Sequence, residues 1–283
     1  MACSDLIGTS CNGWCFPDWT WARIAVSCSE PDKKWGDRVG DINNGGEVLV
    51  NWRVPPWPDA KPLEGRFVRL ERLDADRHAA DLHRANSSDA EGLIWKYLGY
   101  GPFSSVSGYH HWAREMAALK DPHFFVLIDT ETGHAGGVMS LMRISPESGS
   151  IEVGHINIAP ELQRRPAVTE AIFLLMRWVY ENGYRRFEWK CDAANLRSRR
   201  AAERFGFSYE GVFRQHLIVR GRNRDTAWFA CIDKEWPALK EAYQSWLSPT
   251  NFDGNGRQIE SLADLTRLVR VSEDPALEKL RQS

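Results

Sequence analysis

Gln163, Arg164, Arg165, Pro166, Ala167, Val168, Thr169, Glu170 and Ala171 make up the stretch on which the fold turns. Upstream of it, Ser150 to Ile158 has the residue pattern of a strand. After Pro160 the period lengthens to 3.6, with Ala171, Leu174, Leu175 and Trp178 on one face of a helix that ends near Gly183. The stretch is therefore the turn of a strand, loop, helix unit. A helix N-terminus leaves about four backbone N–H groups unpaired and carries partial positive charge, so a basic loop feeding it suits an anion. An ordinary surface turn, with Pro166 near the first helical position, explains the same residues. Taken alone, the stretch favours that plainer reading.

Working outward, Arg66 to Leu70 alternates as a half-buried strand. A helix follows, with Asp74 as N-cap and Ala75, His78, Ala79 and Leu82 on one stripe. Another helical segment covers Ser107 to Leu119. Two strands, His123 to Asp129 and Ala135 to Ser145, are joined through Thr130 to Gly133, and the Pro146 to Gly149 turn leads into the strand Ser150 to Ile158. Downstream come a strand Arg186 to Asp192, a helix Arg197 to Phe205, strands near Ser208 to Arg220 and Asn223 to Ile232, and a helix Glu235 to Leu247. This order gives a mixed α/β domain over 61–248. Residues 1–60 read as an irregular extension ending in the Pro-rich linker Val54 to Pro62, and 249–283 as a loosely attached polar tail with one short helix.

The 36 basic and 38 acidic residues leave a net charge of -2, so no overall field draws nucleic acid or an anionic membrane. The most apolar helical stretch, Ala167 to Tyr180, is broken by Glu170 and Arg177, short of the roughly 18 uninterrupted apolar residues that a membrane helix needs. The start lacks the pattern of a secretory signal, and the expectation is a cytoplasmic protein. Cys3, Cys11, Cys15 and Cys28 contain no C-x-x-C pair and no nearby His, which argues against zinc; no metal site is expected.

A second block changes the weight of the turn. Asn195, Ser198, Ala201, Glu203, Gly206, Phe207, Glu210 and Gly211 resemble N-x-x-S-x-x-x-x-E-x-x-G-F-x-x-E-G, while Gln163 to Ala171 resembles Q-x-x-G-x-A-T-E-A. The chain from about Arg66 to Trp246 thus resembles the GNAT superfamily of N-acetyltransferases, in the branch of the ribosomal-protein N-terminal (Rim-type) enzymes. The resemblance implies a mostly antiparallel twisted sheet with a splayed central strand pair, flanked by helices. It implies acetyl-CoA as acyl donor and no metal.

The resemblance also assigns roles. Gln163, Arg164, Arg165, Ala167, Val168 and Thr169 would hold the cofactor phosphates, with both arginines adding charge where Pro166 removes an N–H. His155, Ile156 and Asn157 are the candidates for the backbone N–H that bonds the thioester oxygen. Glu152, in Ile151-Glu152-Val153-Gly154, would be the general base, and a cross-strand ion pair is its alternative reading. Three residues apart on a regular strand, Glu152 and His155 should face opposite sides. Ser198 would protonate or hydrogen-bond the departing thiolate and Asn195 would orient its loop, while both also suit a helix start. Cys191 sits in a strand pattern without a His partner, which argues against a covalent acyl-enzyme.

An α-amine with a reference pKa of about 7.7–8.0 is neutral far more often at pH 7 than a lysine near 10.4. One base therefore favours a peptide N-terminus or a small-molecule amine as acceptor. The aromatic stretch with Trp95, Tyr97, Tyr100 and Phe103 stands where this branch builds its acceptor wall. Asp225 reads as a solvated hairpin turn, and Trp189, Phe213 and Trp228 as core. Arg197, Arg199, Arg200 and Arg204 read as a solvated helix face rather than a nucleic-acid site, and the protein as a monomer or homodimer.

Overall fold

A computed structural model describes residues 46–254 and 256–282. The four early cysteines lie outside the described residues. The described residues from Asn51 onward belong to one compact unit.

Eight strands form one sheet: β1 (Leu63–Glu64), β2 (Val68–Arg72), β3 (His123–Asp129), β4 (Ala135–Ser145), β5 (Ser150–Ile158), β6 (Arg186–Asp192), β7 (Ser208–Val219) and β8 (Arg222–Ile232). Their order is β1-β2-β3-β4-β5-β6-β8-β7. Every neighbouring pair is antiparallel except β5 and β6. That parallel pair follows from the helix α3 (Pro166–Glu181), which carries the chain back between them. The other helices are α1 (Ala75–Asn86), α2 (Val106–Ala118), α4 (Leu196–Arg204), α5 (Trp236–Leu247), α6 (Leu262–Arg267) and α7 (Pro275–Gln282). Caps fix several starts: Asp74 accepts from the Arg77 N–H at 3.0 Å, and Ser105 from the Gly108 N–H at 3.2 Å.

The two faces of the sheet are dressed differently. On one, Ile151, Val153, Phe187, Trp189 and Phe229 pack with Ile172 and Leu175 of α3 and Leu239 and Tyr243 of α5. On the other, Leu82, Tyr109 and Trp112 of α1 and α2 cover Phe124, Val126 and Val138. This second cluster draws its strand residues from β3 and β4, so α1 and α2 leave the β6, β8 and β7 part of their face bare.

One side chain ties α3 to the start of the sheet. Glu170, buried, accepts from the backbone N–H groups of Arg66 (2.9 Å), Phe67 (2.6 Å) and Val68 (3.0 Å). Gly65 is glycine because a Cβ there would lie 2.5 Å from the Glu170 carboxyl carbon. Glutamine would keep the shape but lose an acceptor oxygen.

The segment after 248 is not a loose tail. Leu262, Thr266 and Asp274 are fully buried. The Asp274 carboxylate takes a bidentate pair from Arg199 of α4, at 2.6 and 2.5 Å. The Asp274 N–H donates to Glu203 at 2.7 Å, and Arg270 pairs with the same Glu203 at 3.1 Å. The segment looked loose because its anchors are charged residues whose partners lie about 70 positions away. The linker is also held: the Tyr184 hydroxyl donates to the Pro56 carbonyl at 3.0 Å, and Lys120 sits 3.9 Å above the Trp57 ring. Among the described residues, no helix is long and apolar enough to cross a membrane.

Glu170→Gln should cost about 2–4 kcal/mol in urea unfolding, because buried N–H groups lose a charged acceptor. Asp274→Ala should cost about 3–5 kcal/mol in the same measurement, by leaving the Arg199 charge buried without its partner. Loss of less than about 1 kcal/mol in either variant would contradict the anchoring described.

Candidate active site

β5 and β6 stop pairing half-way along. Their register runs from Ser150 opposite Arg186 to Val153 opposite Trp189 and ends there. Beyond it, Gly154–Ile158 on β5 and Lys190–Asp192 on β6 have no strand partner across the gap. The opening coincides with an extra residue in β5: Ser140 faces Gly154 but Val138 faces Asn157. His155 occupies this bulge at φ +51°. Beside it, a Cβ at Gly154 would come within 2.3 Å of Met142 Sδ, so a larger residue there would have to push that side chain aside.

The bulge corrects the expectation that Glu152 and His155 face apart. Ile151 and Val153 point into the α3 core, which turns Glu152 to the other face. The extra residue then lets the His155 ring lie on that same side, stacked on Tyr100 at 5.6 Å and tilted against Phe124 at 5.0 Å. Burial, reinforced by Arg143, pulls the imidazole pKa down to about 4, so the ring is neutral at pH 7.

Glu152 sits at the closed end of the gap, 2% exposed. Arg143 Nη1 donates to both its oxygens at 2.8 Å, and Lys190 Nζ lies 3.0 Å away. Lys190 also pairs with Glu188 at 2.7 Å, Arg186 with Glu188 at 2.7 Å, and Arg186 with Glu210 at 2.5 Å. A ladder of alternating charges thus crosses the face, and the ion-pair reading of Glu152 describes its ground state. Burial pushes its carboxyl pKa above the usual range, against the opposing pull of Lys190 and Arg143. Arg143 is itself held: its backbone is at φ +46°, with its N–H and that of Ile144 each 3.0 Å from an oxygen of Asp121.

At the far side of the gap, Asn195 caps α4, accepting from the Ser198 N–H at 3.2 Å. Trp189 Nε1 donates to Ser198 Oγ at 3.0 Å, which occupies an oxygen lone pair and leaves the hydroxyl proton to donate elsewhere. Cys191 is buried and its thiol is pushed up to about 11 by that burial, which fits a structural cysteine. Tyr97 reaches across to the Ala194 carbonyl at 3.3 Å. Trp95, Tyr100 and Phe103 are mutually packed rings, with Tyr109 and Trp112 behind them.

The turn from Gln163 to Thr169 holds less charge than its sequence suggests. α3 begins at Pro166 with Arg165 as N-cap, without a side-chain cap and without an acid in its first turn. The N–H groups of Ala167 and Val168 precede the first intrahelical bond. Arg165, however, is spent on Asp129 (2.9 Å) and Glu131, so the expected contribution of both arginines is reduced to Arg164. Arg164 is exposed, at φ +62°. The Gln163 amide donates to the Ile158 carbonyl at 2.9 Å, closing the end of β5, and Thr169 Oγ1, buried, accepts from Arg204 at 3.0 Å. The arginines of α4 are likewise not one solvated face: Arg197 and Arg200 are exposed, while Arg199 is buried on Asp274.

Sequence reading placed Phe213 and Trp228 in the core. Of the three aromatics, only Trp189 is there. Phe213 is 54% exposed and lies on Trp228 at 4.5 Å, with His216 edge-on at 5.6 Å. Lys190 sits 3.8 Å above Trp228, which fixes this shelf on the face of Glu152. A bulge in β7 between Phe213 and Leu217 turns Phe213 outward; Asp225 braces it by accepting from the Gln215 N–H at 2.7 Å, and that bond holds its pKa low. Lys190 and Glu188 could have been found, since they alternate with Phe187, Trp189 and Cys191. Arg143 carries no such signal.

Residues 68–208 match the family model described as an acetyltransferase (GNAT) domain. A crystal structure of a GCN5-related N-acetyltransferase from Brucella melitensis is 48% identical, covers 77% of this chain and 100% of its own, and superposes with a TM-score of 0.76. The chain belongs to the GNAT family. A second GNAT-family structure, from Chromobacterium violaceum, is 38% identical over 68% of this chain and 96% of its own, with a TM-score of 0.64. Among curated proteins, "Putative ribosomal N-acetyltransferase YdaF" of Bacillus subtilis is 28% identical over 52% of this chain and 80% of its own length. The expected GNAT fold and its mostly antiparallel sheet are thereby borne out.

Removing Arg143 takes away one of the two cations beside Glu152. In Arg143→Ala the Glu152 carboxyl pKa should therefore rise further, as read by NMR of a 13C-labelled carboxylate; an unchanged value would contradict the pairing.

Proposed function

We propose that this GNAT protein transfers an acetyl group from acetyl-CoA directly to an amine, either a peptide N-terminus or a small-molecule amine. The observation that carries the reading is the unpaired stretch Gly154–Ile158, which leaves backbone donors open beside a helix start without a cap. These features suit the two ends of the cofactor: a pantetheine-like arm can bond along an unpaired strand edge, and a pyrophosphate can sit at the N–H groups of Ala167 and Val168. When bound, acetyl-CoA supplies the activated thioester.

The protein's own residues then have four tasks. Backbone N–H groups of His155, Ile156 or Asn157 bond the thioester oxygen and stabilise the charge that develops on it. Glu152, raised by burial, takes the proton that the amine loses as its nitrogen bonds to the acyl carbon. For this the carboxylate must loosen from Arg143, the half-exposed one of its two partners. As the carbon–sulfur bond breaks, the Ser198 hydroxyl, its oxygen held by Trp189, donates a hydrogen bond to the departing thiolate, which leaves and takes its proton from solvent, and Asn195 keeps that turn in place. Arg164, Gln163 and Thr169 support the phosphate turn, Arg165 only through its grip on Asp129.

A second reading, a catalytically weak CoA-binding or regulatory protein, is favoured by Pro166 at the first helical position and by the full engagement of Glu152. Thiol release with acetyl-CoA and a panel of amines and peptides separates the two. Transfer predicts acceptor-dependent release that falls about 10²–10⁴-fold in Glu152→Gln. Because the Glu152 pKa is raised, kcat/KM should climb with pH through a limb above the ordinary carboxylate range, and Glu152→Gln should lack that limb. CoA binding without acceptor-dependent release would leave only the second reading.

A further inference from the structure

The bare part of the sheet face, next to the gap, carries an unbalanced charge. The carboxylates on and around it are already engaged: Glu152 by Arg143 and Lys190, Glu188 by Lys190 and Arg186, Glu210 by Arg186, and Asp225 by the Gln215 N–H and Asn223. The hairpin formed by β7 and β8 nonetheless brings four more arginines, Arg214, Arg220, Arg222 and Arg224. Among the described residues none of the four makes a direct ion pair, and only Arg214 lies near enough to a carboxylate, Asp225, to help hold its pKa low. Arg224 Nε is buried without a hydrogen-bond partner. Arg220 donates to the carbonyl of Gly101 at 3.1 Å, which leans the hairpin tip onto the aromatic loop of the acceptor side.

Register places these charges relative to the gap. Lys190 pairs with Trp228, and two-residue steps along β8 put Thr226, Arg224 and Arg222 on the same face as Trp228. From Trp228 to Arg222 the strand covers about 20 Å. A small amine held at Glu152 would leave most of that length untouched. An extended chain leading away from the gap would pass over the shelf of Trp228, Phe213 and His216 and then between the arginines.

We propose that the acceptor is the N-terminal amine of an acidic peptide, whose carboxylates lie along the β7–β8 hairpin while its first residue enters the gap. The proposal rests on reading the gap as the transfer site. A nucleic acid would meet the same arginines but carries no basic primary amine to enter the gap beside Glu152.

The test uses the full chain loaded with CoA and three peptides of about seven residues that share one N-terminal residue and carry Glu, Gln or Lys at the middle positions. Binding is measured by calorimetry and thiol release is measured separately with acetyl-CoA. The Glu peptide should bind about tenfold more tightly than the Gln peptide, with the Lys peptide weakest, and the gap should narrow as salt rises from about 50 to about 300 mM. The double variant Arg222→Ser, Arg224→Ser should abolish the preference while leaving CoA affinity and thermal unfolding unchanged. Equal or tighter binding of the Gln peptide, survival of the preference in the double variant, or stronger binding of a single-stranded RNA of similar length would each overturn the proposal. Preferential binding of the Glu peptide without thiol release would overturn the acceptor assignment together with the transfer reading; thiol release without preference for Glu would overturn the proposal alone and leave the transfer reading standing.

Discussion

The structure depends on one constraint: two neighbouring strands in the middle of a sheet pair for four residues and then part. An unpaired strand edge inside a protein is costly unless something else meets its backbone groups. Here the parting is held open from both ends. Below it, the Glu152, Lys190 and Glu188 ladder fixes β5 to β6. Above it, the bulge at His155 bends β5 away, and the stacking of His155 on Tyr100 keeps that bend in register with the aromatic loop of Trp95, Tyr100 and Phe103. The site is thus a defect in sheet pairing that the surrounding charges and rings make permanent.

Much of this was legible in the sequence, and the boundary of legibility is physical. β3, β4, β5 and β6 fall where alternation places them, because each buries one face on a helix and its period is therefore two. The turn at Gln163 and the cap at Asn195 are local and could be seen directly. What stayed hidden depends on partners distant in the chain. The bulge that brings His155 and Glu152 to one face arises from the offset between β4 and β5, which no single strand encodes. Glu170 is one motif letter until the N–H groups of Arg66, Phe67 and Val68 meet it. Arg165 looks like a free cation until Asp129 folds beside it. Phe213 reads as core because its outward turn comes from a bulge in β7.

Charge organises this face in two layers. The inner layer is neutral in sum and buried at its centre, and it sets where a proton can reside: Glu152 is pushed up by burial and restrained by two cations. The outer layer, on the hairpin, is cationic and exposed. An inner layer of paired charges holds geometry without drawing ligands from a distance, whereas an outer layer of unpaired charges does the opposite. A protein with a net charge of -2 can therefore present a locally positive approach to its site.

The clasp between Arg199 and Asp274 carries a consequence in time. Helix α4 bears Ser198 on one side of the gap, yet its buried guanidinium finds its counter-ion 75 residues later in the chain. During synthesis, β5, α3 and α4 leave the ribosome well before Asp274 does. Until then Arg199 has no partner and must stay hydrated. The order of translation thus leaves α4 without this clasp until Asp274 has been made, so a nascent chain that stops short of Asp274 would carry every residue of the site without the contact that holds α4.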